Sequence, residues 1–252
     1  MSLSSNVLFH FTDSVHHLVD ILTNEFRPHF CLEDFRLVMP TVKEPCWAFP
    51  LISFCDIPLS QASRHMTTYG NYAIGLNKEW GMRNGVAPVL YCYENSTAAT
   101  SLGALLSTLY KTEIDPSDPD DASSEIKKIT ELIHFVKPYE GQFLRRGRII
   151  ERVRFYDERE WRFIPQNFFD LPTLNKAEYL NFNDLSNANQ KARDATALKF
   201  EPSDIKYIVV ATETEILPMI QAVGRIKQKY DEDQVKLLTS RIISAEQIIA
   251  DF

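Results

Sequence analysis

The sequence predicts an α+β fold, in which the strands of a mixed sheet alternate with amphipathic helices. Short apolar runs rich in β-branched residues, such as LISFCDI (51–57) and IKYIVVA (205–211), have the pattern of buried strands. Between such runs, apolar residues recur at helical spacing, as at Leu102, Leu105 and Leu109. The chain is 44% hydrophobic, which is enough to bury the core of a single domain spanning residues 1–252.

The amino-terminal part is predicted to begin with a strand and a helix. Residues 6–11 form the strand, and Thr12 or Asp13 caps a helix whose apolar residues fall on one face. Residues 27–50 contain four prolines, so we expect them to be irregular. The elements predicted next are a strand at 51–57, a short helix at 59–68, and strands at 71–76 and 87–93.

Two helices are predicted near 97–110 and 124–137. The acidic, proline-rich segment EIDPSDPDD (113–121) lies between them and is expected to be an exposed loop. We interpret residues 97–138 as a helical insertion between strands, not as a separate domain. The elements predicted after it are strands at 148–155, 160–165 and 205–211, a helix at 213–229 and a strand near 236–243.

Composition argues against several classes of function. The net charge of −7 disfavours electrostatic binding of nucleic acid by the whole protein, although a local basic patch would suffice. The four cysteines form no CxxC pair, so we expect reduced thiols and no structural zinc site. Phosphate-binding glycine loops and the GxSxG and HExxH motifs are absent. Without a signal peptide or a long apolar stretch, we expect a cytoplasmic protein that binds neither membrane nor metal.

The segment LFHFT (8–12) carries the first candidate site residues. Side chains alternate along a strand, so His10 and Thr12 share one face while Phe9 and Phe11 share the other. One interpretation is a strand that lines a cleft with its polar face. The other is an ordinary strand end, in which Thr12 caps the next helix and His10 is a half-buried histidine.

The segment EREWRFIP (158–165) carries two carboxylates in an E-x-E arrangement. At the mouth of a strand, Glu158 and Glu160 can bind a sugar hydroxyl and stabilise positive charge on an adjacent carbon. The alternative is a solvated charged turn, in which Arg159 and Arg162 pair with the two acids.

The segment that ends in TTYGNY (67–72) offers two tyrosines after a buried strand and a polar helix. Tyr69 and Tyr72 each present a flat face on which an aromatic ring can stack. The alternative is that both are ordinary residues at the rim of a core.

An arginine cluster lies in LRRGRIIERVRF (144–155). Its members are Arg145, Arg146, Arg148, Arg152 and Arg154. Such a cluster can contact the phosphates of a nucleic acid or of a dinucleotide. It can equally be a solvated edge strand whose charges discourage pairing with another strand.

The order of these segments resembles the ADP-ribosyltransferases of the His-Tyr-Glu type. LFHFT followed by HHLVDILTNEFRP (16–28) is similar to that family's first strand and helix, and SFCDIPLSQASRHMTTY (53–69) is similar to its middle strand and tyrosine-bearing helix. The resemblance implies a split mixed sheet and NAD as substrate, with no metal. It also implies that His10 and Thr12 bind the adenosine-side ribose and that Glu160 holds the 2′-hydroxyl of the nicotinamide ribose.

The resemblance further implies that Tyr69, or less directly Tyr72, stacks on the nicotinamide. Phe11 and Phe54 would complete the NAD site, with Phe11 standing where the family has a glycine and Phe54 where it often has a tyrosine. The acceptor would lie against Glu158 and the arginines at 145, 146 and 148. These arginines favour nucleic acid over protein as the acceptor.

Most of residues 6–252 resemble the AbiGi family of bacterial abortive-infection proteins, through CDIPLS (55–60), YGNYAIGLNKEWG (69–81) and YDEREWR (156–162). That family is described as the antitoxin half of a two-gene phage-defence system, which implies a co-encoded partner protein. Two hypotheses follow. The chain is an ADP-ribosyltransferase toxin that acts on a macromolecule during phage infection, or it is an inactive antitoxin or sensor that uses the same fold to bind its partner.

Overall fold

The computed structural model describes residues 4–111, 121–145 and 148–251. The strands are β1 (Val7–Thr12), β2 (His29–Asp34), β3 (Cys46–Cys55), β4 (Tyr72–Asn77), β5 (Ala87–Pro88), β6 (Leu90–Cys92), β7 (Val136–Pro138), β8 (Gly141–Arg145), β9 (Arg148–Val153), β10 (Glu160–Phe163), β11 (Leu174–Asn175), β12 (Ile205–Val210) and β13 (Ile242–Ser244). The α-helices are α1 (Val15–Asn24), α2 (Ala62–Tyr69), α3 (Lys78–Arg83), α4 (Thr97–Lys111), α5 (Asp121–Ile133), α6 (Lys176–Leu180), α7 (Phe182–Ala195), α8 (Ile216–Ile226), α9 (Glu232–Thr239) and α10 (Ala245–Asp251).

Nine of the strands in the described ranges form one mixed sheet. Seven of them follow the order β13-β12-β4-β1-β3-β10-β5, while β2 and β11 pair with the first half of the long strand β3. The β12–β13 pair is parallel and its neighbours are antiparallel. The pairs β6–β7 and β8–β9 form two separate two-stranded sheets. The predicted α+β class with a mixed sheet is therefore confirmed.

The side chains of β1 define two faces of the sheet, which we name by the helix that covers each. Leu8 packs on the α1 face, in a buried core with Leu18 and Leu22 of α1 and with residues of α3, α8 and α9. Phe9 packs on the α2 face, in a second core with Met66 of α2 and Ile248 of α10. This alternation follows from the period of two along a strand, so neighbouring residues of β1 serve opposite layers.

Helices α4 and α5 cover the first half of β3 on the α2 face. Leu106 of α4 and Ile129 of α5 are buried against Phe49 and Leu51 of that strand. The two helices predicted near 97–110 and 124–137 are thus present, and α5 begins and ends a few residues earlier than predicted. Most of the acidic segment predicted as a loop at 113–121 lies outside the described residues.

The beginning of α1 corrects one prediction at the amino terminus. The residue that caps α1 is Ser14, whose side chain accepts a hydrogen bond from the His16 backbone N–H, and neither Thr12 nor Asp13 takes that role. Ser14 has an extended backbone directly before the first helical residue, which is the geometry that a capping side chain needs. Thr12 remains in β1 and faces inward.

Three other segments differ from the sequence prediction. Residues 27–50 are not irregular, because β2 and the first half of β3 pair there. The predicted strand at 87–93 divides into β5, in the main sheet, and β6, which pairs with β7. The predicted strand near 236–243 is mostly α9, and only its end enters β13.

Gly70 allows α2 to end directly against β1. Its φ of +117° lies in a region that residues with a Cβ seldom adopt. A Cβ at this position would also overlap the backbone of Thr12 and Asp13. The close approach of α2 to the end of β1 therefore depends on glycine, and it carries Tyr69 to its place beside the sheet.

No helix in the described part of the chain is long and apolar enough to cross a membrane.

Candidate functional site

Glu160 is the centre of a buried charge network on the α2 face. Its Oε1 accepts hydrogen bonds from Arg162 Nε at 2.5 Å and from Ser53 Oγ at 2.9 Å. Its Oε2 accepts one from Lys137 Nζ at 2.5 Å. The side chain is almost fully buried, with the residue 3% exposed. Both oxygens of this carboxylate are therefore held by charged or hydroxyl donors of the protein itself.

Arg162 extends the network from Glu160 to β2 and to the end of α5. The guanidinium is fully buried, and its Nη2 donates to Glu33 Oε2 of β2 at 2.7 Å. Its Nη1 donates to the carbonyl oxygen of His134 at 2.8 Å, directly after α5. One side chain on β10 thus ties the end of the helical insertion to the main sheet and links β10 to β2 within it.

Lys137 carries the network in the other direction, toward α2. Besides Glu160, its ammonium group contacts Glu158 Oε2 at 3.0 Å and lies 4.7 Å from the centre of the Phe155 ring. Glu158 in turn accepts a hydrogen bond from the Tyr69 hydroxyl. Tyr69, Glu158, Lys137 and Glu160 consequently form one connected path of hydrogen bonds.

The charges in this network determine the protonation of its members. Burial opposes ionisation of Glu160, but the charges of Arg162 and Lys137 outweigh it and lower the pKa of that carboxyl. Burial likewise opposes protonation of Lys137, yet the charges of the glutamates raise its pKa well above the ordinary value. Burial and the neighbouring Glu158 raise the pKa of the Tyr69 hydroxyl. At neutral pH the network therefore contains an ionised acid between two cations, and a neutral tyrosine.

Cys55 borders the network on the same face. It is paired in register with Glu160 across β3 and β10. Burial raises the pKa of its thiol well above the ordinary value, and the negative charges of Glu158 and Glu160 raise it further. Cys55 is therefore held as a neutral thiol.

His10 lies on the α1 face, away from the Glu160 side chain. Register pairs Phe9 with Cys55 and Cys55 with Glu160, so Glu160 points to the face of Phe9, and His10 to the other. The His10 ring meets the edges of the Phe26 and Phe54 rings, at 5.3 and 5.8 Å between centroids. Burial lowers its pKa, so this histidine is neutral at physiological pH.

Ser53 connects the two faces. Its backbone carbonyl oxygen lies 2.8 Å from Nδ1 of His10, while its hydroxyl donates to Glu160. His10 and Glu160 therefore share a neighbour, although their side chains are on opposite sides of β3. This is an indirect link and does not place the two side chains in one cleft.

The other residues predicted to bind NAD are also distributed over both faces. Thr12 Oγ1 lies 3.2 Å from His17 Nδ1, and the Tyr72 hydroxyl donates to Glu215 at 2.9 Å. Phe11 packs on the α2 face, with its ring centroid 5.9 Å from Phe9 and 6.0 Å from His65. Phe54 is buried in the α1-face core. To bind NAD as predicted, the side chains of His10, Thr12 and Glu160 would have to line one cleft. They lie on opposite faces of the sheet, so they do not fit NAD in that arrangement.

The E-x-E segment does not form a solvated turn. Glu158 lies in a 3₁₀ turn of residues 155–158, and β10 begins only at Glu160. Arg159 between them has a left-handed backbone, with φ of 46°, which lets both acids reach Lys137. With Glu158 7% exposed and Glu160 3% exposed, the interpretation of solvated acids is wrong. The pairing of Arg162 with an acid is confirmed, in a buried setting.

Two of the predicted acceptor arginines lie in the strands of the β8–β9 hairpin. Arg145 ends β8 and Arg148 begins β9, and register pairs their backbones directly. Arg146 lies outside the described residues. Arg152 forms a two-pronged ion pair with Glu140, from Nη2 to Oε1 at 2.8 Å and from Nε to Oε2 at 3.1 Å. Glu158 is directed into the buried network and away from this hairpin.

Sequence reasoning missed three members of the network. They are Glu33, Ser53 and Lys137, which come from three different strands. The signal that could have identified Lys137 is its position in HFVKPY (134–139), a lysine within an otherwise apolar, strand-like run. In the described part of the chain, no group of three His, Cys, Asp or Glu side chains is arranged to hold a metal ion.

Comparison with known proteins gives a consistent result. Residues 24–211 match the family model described as "abortive phage resistance protein AbiGi, antitoxin". The chain is also similar to the "Abortive phage resistance protein AbiGi" of Lactococcus lactis subsp. cremoris, with 30% identity over 226 residues that cover 82% of this chain and 90% of that protein. No solved structure matches.

Proposed function

Because this chain belongs to the AbiGi family of abortive phage resistance proteins, we propose that it acts as the antitoxin of a two-gene system. In this role it binds a co-encoded toxin protein and suppresses its toxicity, without transferring ADP-ribose. The family description names the antitoxin role, and the internal chemistry of the fold agrees with a protein that acts by binding.

One observation carries this proposal. Both oxygens of the Glu160 carboxylate are occupied by Arg162, Lys137 and Ser53 in a buried site. A catalytic carboxylate acts by stabilising charge that develops on a substrate, so it must face that substrate. A carboxylate enclosed by two cations instead contributes to holding β10, β7 and the insertion together.

The test is expression in bacteria of the chain alone, the co-encoded partner alone, and both together. We expect growth to continue with the chain alone, to stop with the partner alone, and to recover with both. The same cells are supplied with NAD labelled on its adenylate. Growth arrest by the chain alone, with label in protein or nucleic acid, would refute the antitoxin assignment.

A second candidate is the ADP-ribosyltransferase toxin. It is favoured by the path of hydrogen bonds that runs from Tyr69 through Glu158 and Lys137 to Glu160. Tyr69 and Glu160 are the residues predicted to contact the nicotinamide and its ribose, and Glu158 is predicted to face the acceptor. Activity would require Lys137 and Arg162 to release Glu160 and the cleft to form by rearrangement. Free ADP-ribose without a labelled macromolecule would instead indicate hydrolysis of NAD.

The variant Glu158→Gln separates the two candidates further. It keeps a hydrogen-bond acceptor for Tyr69 and leaves the Glu160 ion pairs in place. An antitoxin should keep its protective effect in this variant, provided that circular dichroism shows an intact fold. A transferase that uses Glu158 toward its acceptor should lose labelling.

A further inference from the structure

A cleft opens on the α2 face of the sheet, at the edge where β1 begins. It has a volume of about 490 Å³ and lies among the starts of β1, β12 and β13 and the end of β4. A volume of this size is typical of sites for small molecules. Thr12, predicted to bind NAD, lies at the opposite end of β1, so the cleft does not overlap the NAD site predicted from the sequence.

The ring of Tyr207 forms one wall of this cleft. It stacks on the buried ring of Phe9, with centroids 5.7 Å apart and planes 28° apart. Gly75 of β4 is the register partner of both residues, and a Cβ there would lie 2.7 Å from the Phe9 ring. The glycine therefore lets the two rings meet across β4. Tyr207 is half-buried and supported from one side, so it can stack on a flat ligand at little cost in conformational entropy.

Two cations line the side of the cleft formed by β12 and β13. Lys206 directly precedes Tyr207 and is exposed, and Arg241 directly precedes β13. Nη1 of Arg241 donates to the backbone carbonyl oxygens of Pro202 and Ile205, which fixes the direction of the guanidinium. Neither cation forms an ion pair with another residue that the structure describes. Both can therefore bind an anion such as a phosphate.

The acids near the cleft do not neutralise these two cations. Asp56 is paired with Lys78 at 2.8 Å, and Asp204 is paired with Arg83 at 3.1 Å. Glu79 lines the cleft, is exposed and forms no ion pair within the described ranges. A carboxylate accepts hydrogen bonds from hydroxyl groups, including those of a ribose. The cleft thus combines an aromatic wall, an acceptor for hydroxyl groups and two cations.

From these features we infer that the cleft binds a nucleoside monophosphate. The base stacks on Tyr207, a ribose hydroxyl donates to Glu79, and the phosphate accepts from Lys206 and Arg241. A nucleoside leaves the two cations without an anion, and inorganic phosphate leaves the aromatic wall uncovered, so each binds more weakly than the nucleotide. The cleft is separate from the Glu160 network and does not depend on the antitoxin proposal.

The experiment titrates AMP, adenosine and inorganic phosphate into the full chain at low salt, followed by isothermal titration calorimetry. We expect AMP to bind with a Kd of about 0.1 mM, roughly tenfold more tightly than either of the other two. Lys206→Ala should weaken AMP binding about tenfold and leave adenosine binding unchanged, because it removes only a phosphate contact. Tyr207→Leu should weaken the binding of AMP and adenosine alike, whereas Tyr207→Phe keeps the ring and should keep the affinity.

Two matched controls lie outside the cleft. Lys191→Ala removes an exposed lysine on α7, and Glu94→Gln neutralises an exposed glutamate after β6. Neither should change AMP binding, whereas Glu79→Gln should weaken adenosine binding, since an amide is a weaker acceptor than a carboxylate. The inference fails if AMP does not bind at about 1 mM, or if adenosine or inorganic phosphate binds as tightly as AMP. It also fails if Lys206→Ala, with an unchanged melting temperature, binds AMP as the parent does.

Discussion

Glu160 shows how one buried carboxylate can control the stability of several elements. Arg162 is fully buried and has its guanidinium divided between Glu160, Glu33 and a backbone carbonyl. Removing one partner of a buried ion pair leaves the other charge without compensation, which costs far more than the pair contributes in net stability. The protein should therefore lose more stability when one member of the network is removed than when the whole set is replaced.

We expect Glu160→Ala to lower the free energy of unfolding by about 3–5 kcal/mol, because Arg162 and Lys137 then remain buried without their shared anion. The measurement is urea denaturation at pH 7, followed by circular dichroism. The control is Glu151→Ala, an exposed glutamate on β9, for which we expect a change within about 0.5 kcal/mol. Equal small effects in both variants would show that the network is not structural.

At this scale the sequence predicted some members of the site and not their partners. Glu160, Glu158 and Tyr69 were selected from local patterns, and the structure connects all three. Lys137 could not be paired with them, because it lies at the end of an insertion whose path across the sheet is not encoded in any local spacing. The face of His10 was predicted correctly relative to Thr12, but the face of Glu160 depends on the register of β3 and β10, which the sequence does not specify.

At the level of elements, the junction between α2 and β1 depends on one glycine. Gly70 combines a positive φ with contact against the β1 backbone, whereas Gly85 has a positive φ and open space around it. A comparison of substitutions at the two glycines therefore separates the cost of backbone strain from the cost of steric overlap.

We expect Gly85→Ala to destabilise the protein by about 1 kcal/mol, through backbone conformation alone. Gly70→Ala should cost at least about 2 kcal/mol more, since its Cβ would also displace Thr12 and Asp13. Thermal and urea denaturation of both variants provide the measurement. If the two variants were equally stable, the contact between α2 and β1 would not be as close as described.

The helical insertion is joined to the main sheet through the ion pairs of Lys137 on β7, and we expect Lys137→Met to loosen it selectively. The methionine fills similar space but leaves Glu158 and Glu160 without their shared ammonium group. Hydrogen exchange should accelerate in α5 and β7 more than in β1 and β4, because local opening follows the weakest contacts. Lys128→Met, at an exposed position of α5, is the matched control and should leave exchange unchanged. Uniform acceleration across all strands would contradict this selectivity.

The first half of β3 illustrates why an element was missed. Pro50 argued against a strand, because proline donates no hydrogen bond. In the structure, Phe30 of β2 faces Pro50 but donates its N–H to Asn189, so this is not a hydrogen-bonded pair of the ladder. The nitrogen of Pro50 therefore points to the other edge of β3, between the stretches that pair with β11 and β10. The position tolerates proline for a reason that only the sheet order reveals.

At the scale of the whole molecule, buried neutral histidines link stability to pH. His65 and His134 are each 7% exposed and pack against aromatic rings. Burial, together with the charge of a nearby arginine, lowers the pKa of each to about 4, from an ordinary value of 6.5. The unfolded chain therefore binds protons between these two values that the folded chain does not bind.

We expect the free energy of unfolding to keep its full value above pH 6.5 and to decline as the pH falls toward 4. Each of the two histidines should contribute a slope of about 1.4 kcal/mol per pH unit within that window. His134→Phe should keep the stability at pH 7 and remove one such contribution, which is about 1.2 kcal/mol between pH 6.5 and 5.3. Urea denaturation at the two pH values tests this, with His16→Asn as an exposed control. A pH dependence that His134→Phe leaves unchanged would exclude this histidine as a contributor.

The predicted class of fold and the family relationship describe the molecule correctly at low resolution. Composition and periodicity were sufficient for an α+β chain with a mixed sheet, because buried strands and amphipathic helices have strong local patterns. The order of strands in the sheet was not predictable, since it depends on pairings between residues far apart in the chain, such as Phe9 with Cys55. That order separates His10 from Glu160, and so it bears directly on the choice between enzyme and antitoxin.

The neutral thiol of Cys55 provides a chemical reporter for the α2 face. Thiolates, not thiols, react with alkylating and oxidising agents, so burial and the two neighbouring glutamates make Cys55 resistant to both at neutral pH. Opening of the network would expose the sulfur and remove the charges that suppress its ionisation. The rate at which iodoacetamide modifies Cys55 therefore measures how often this layer of the protein opens, even while the rest of the fold remains intact.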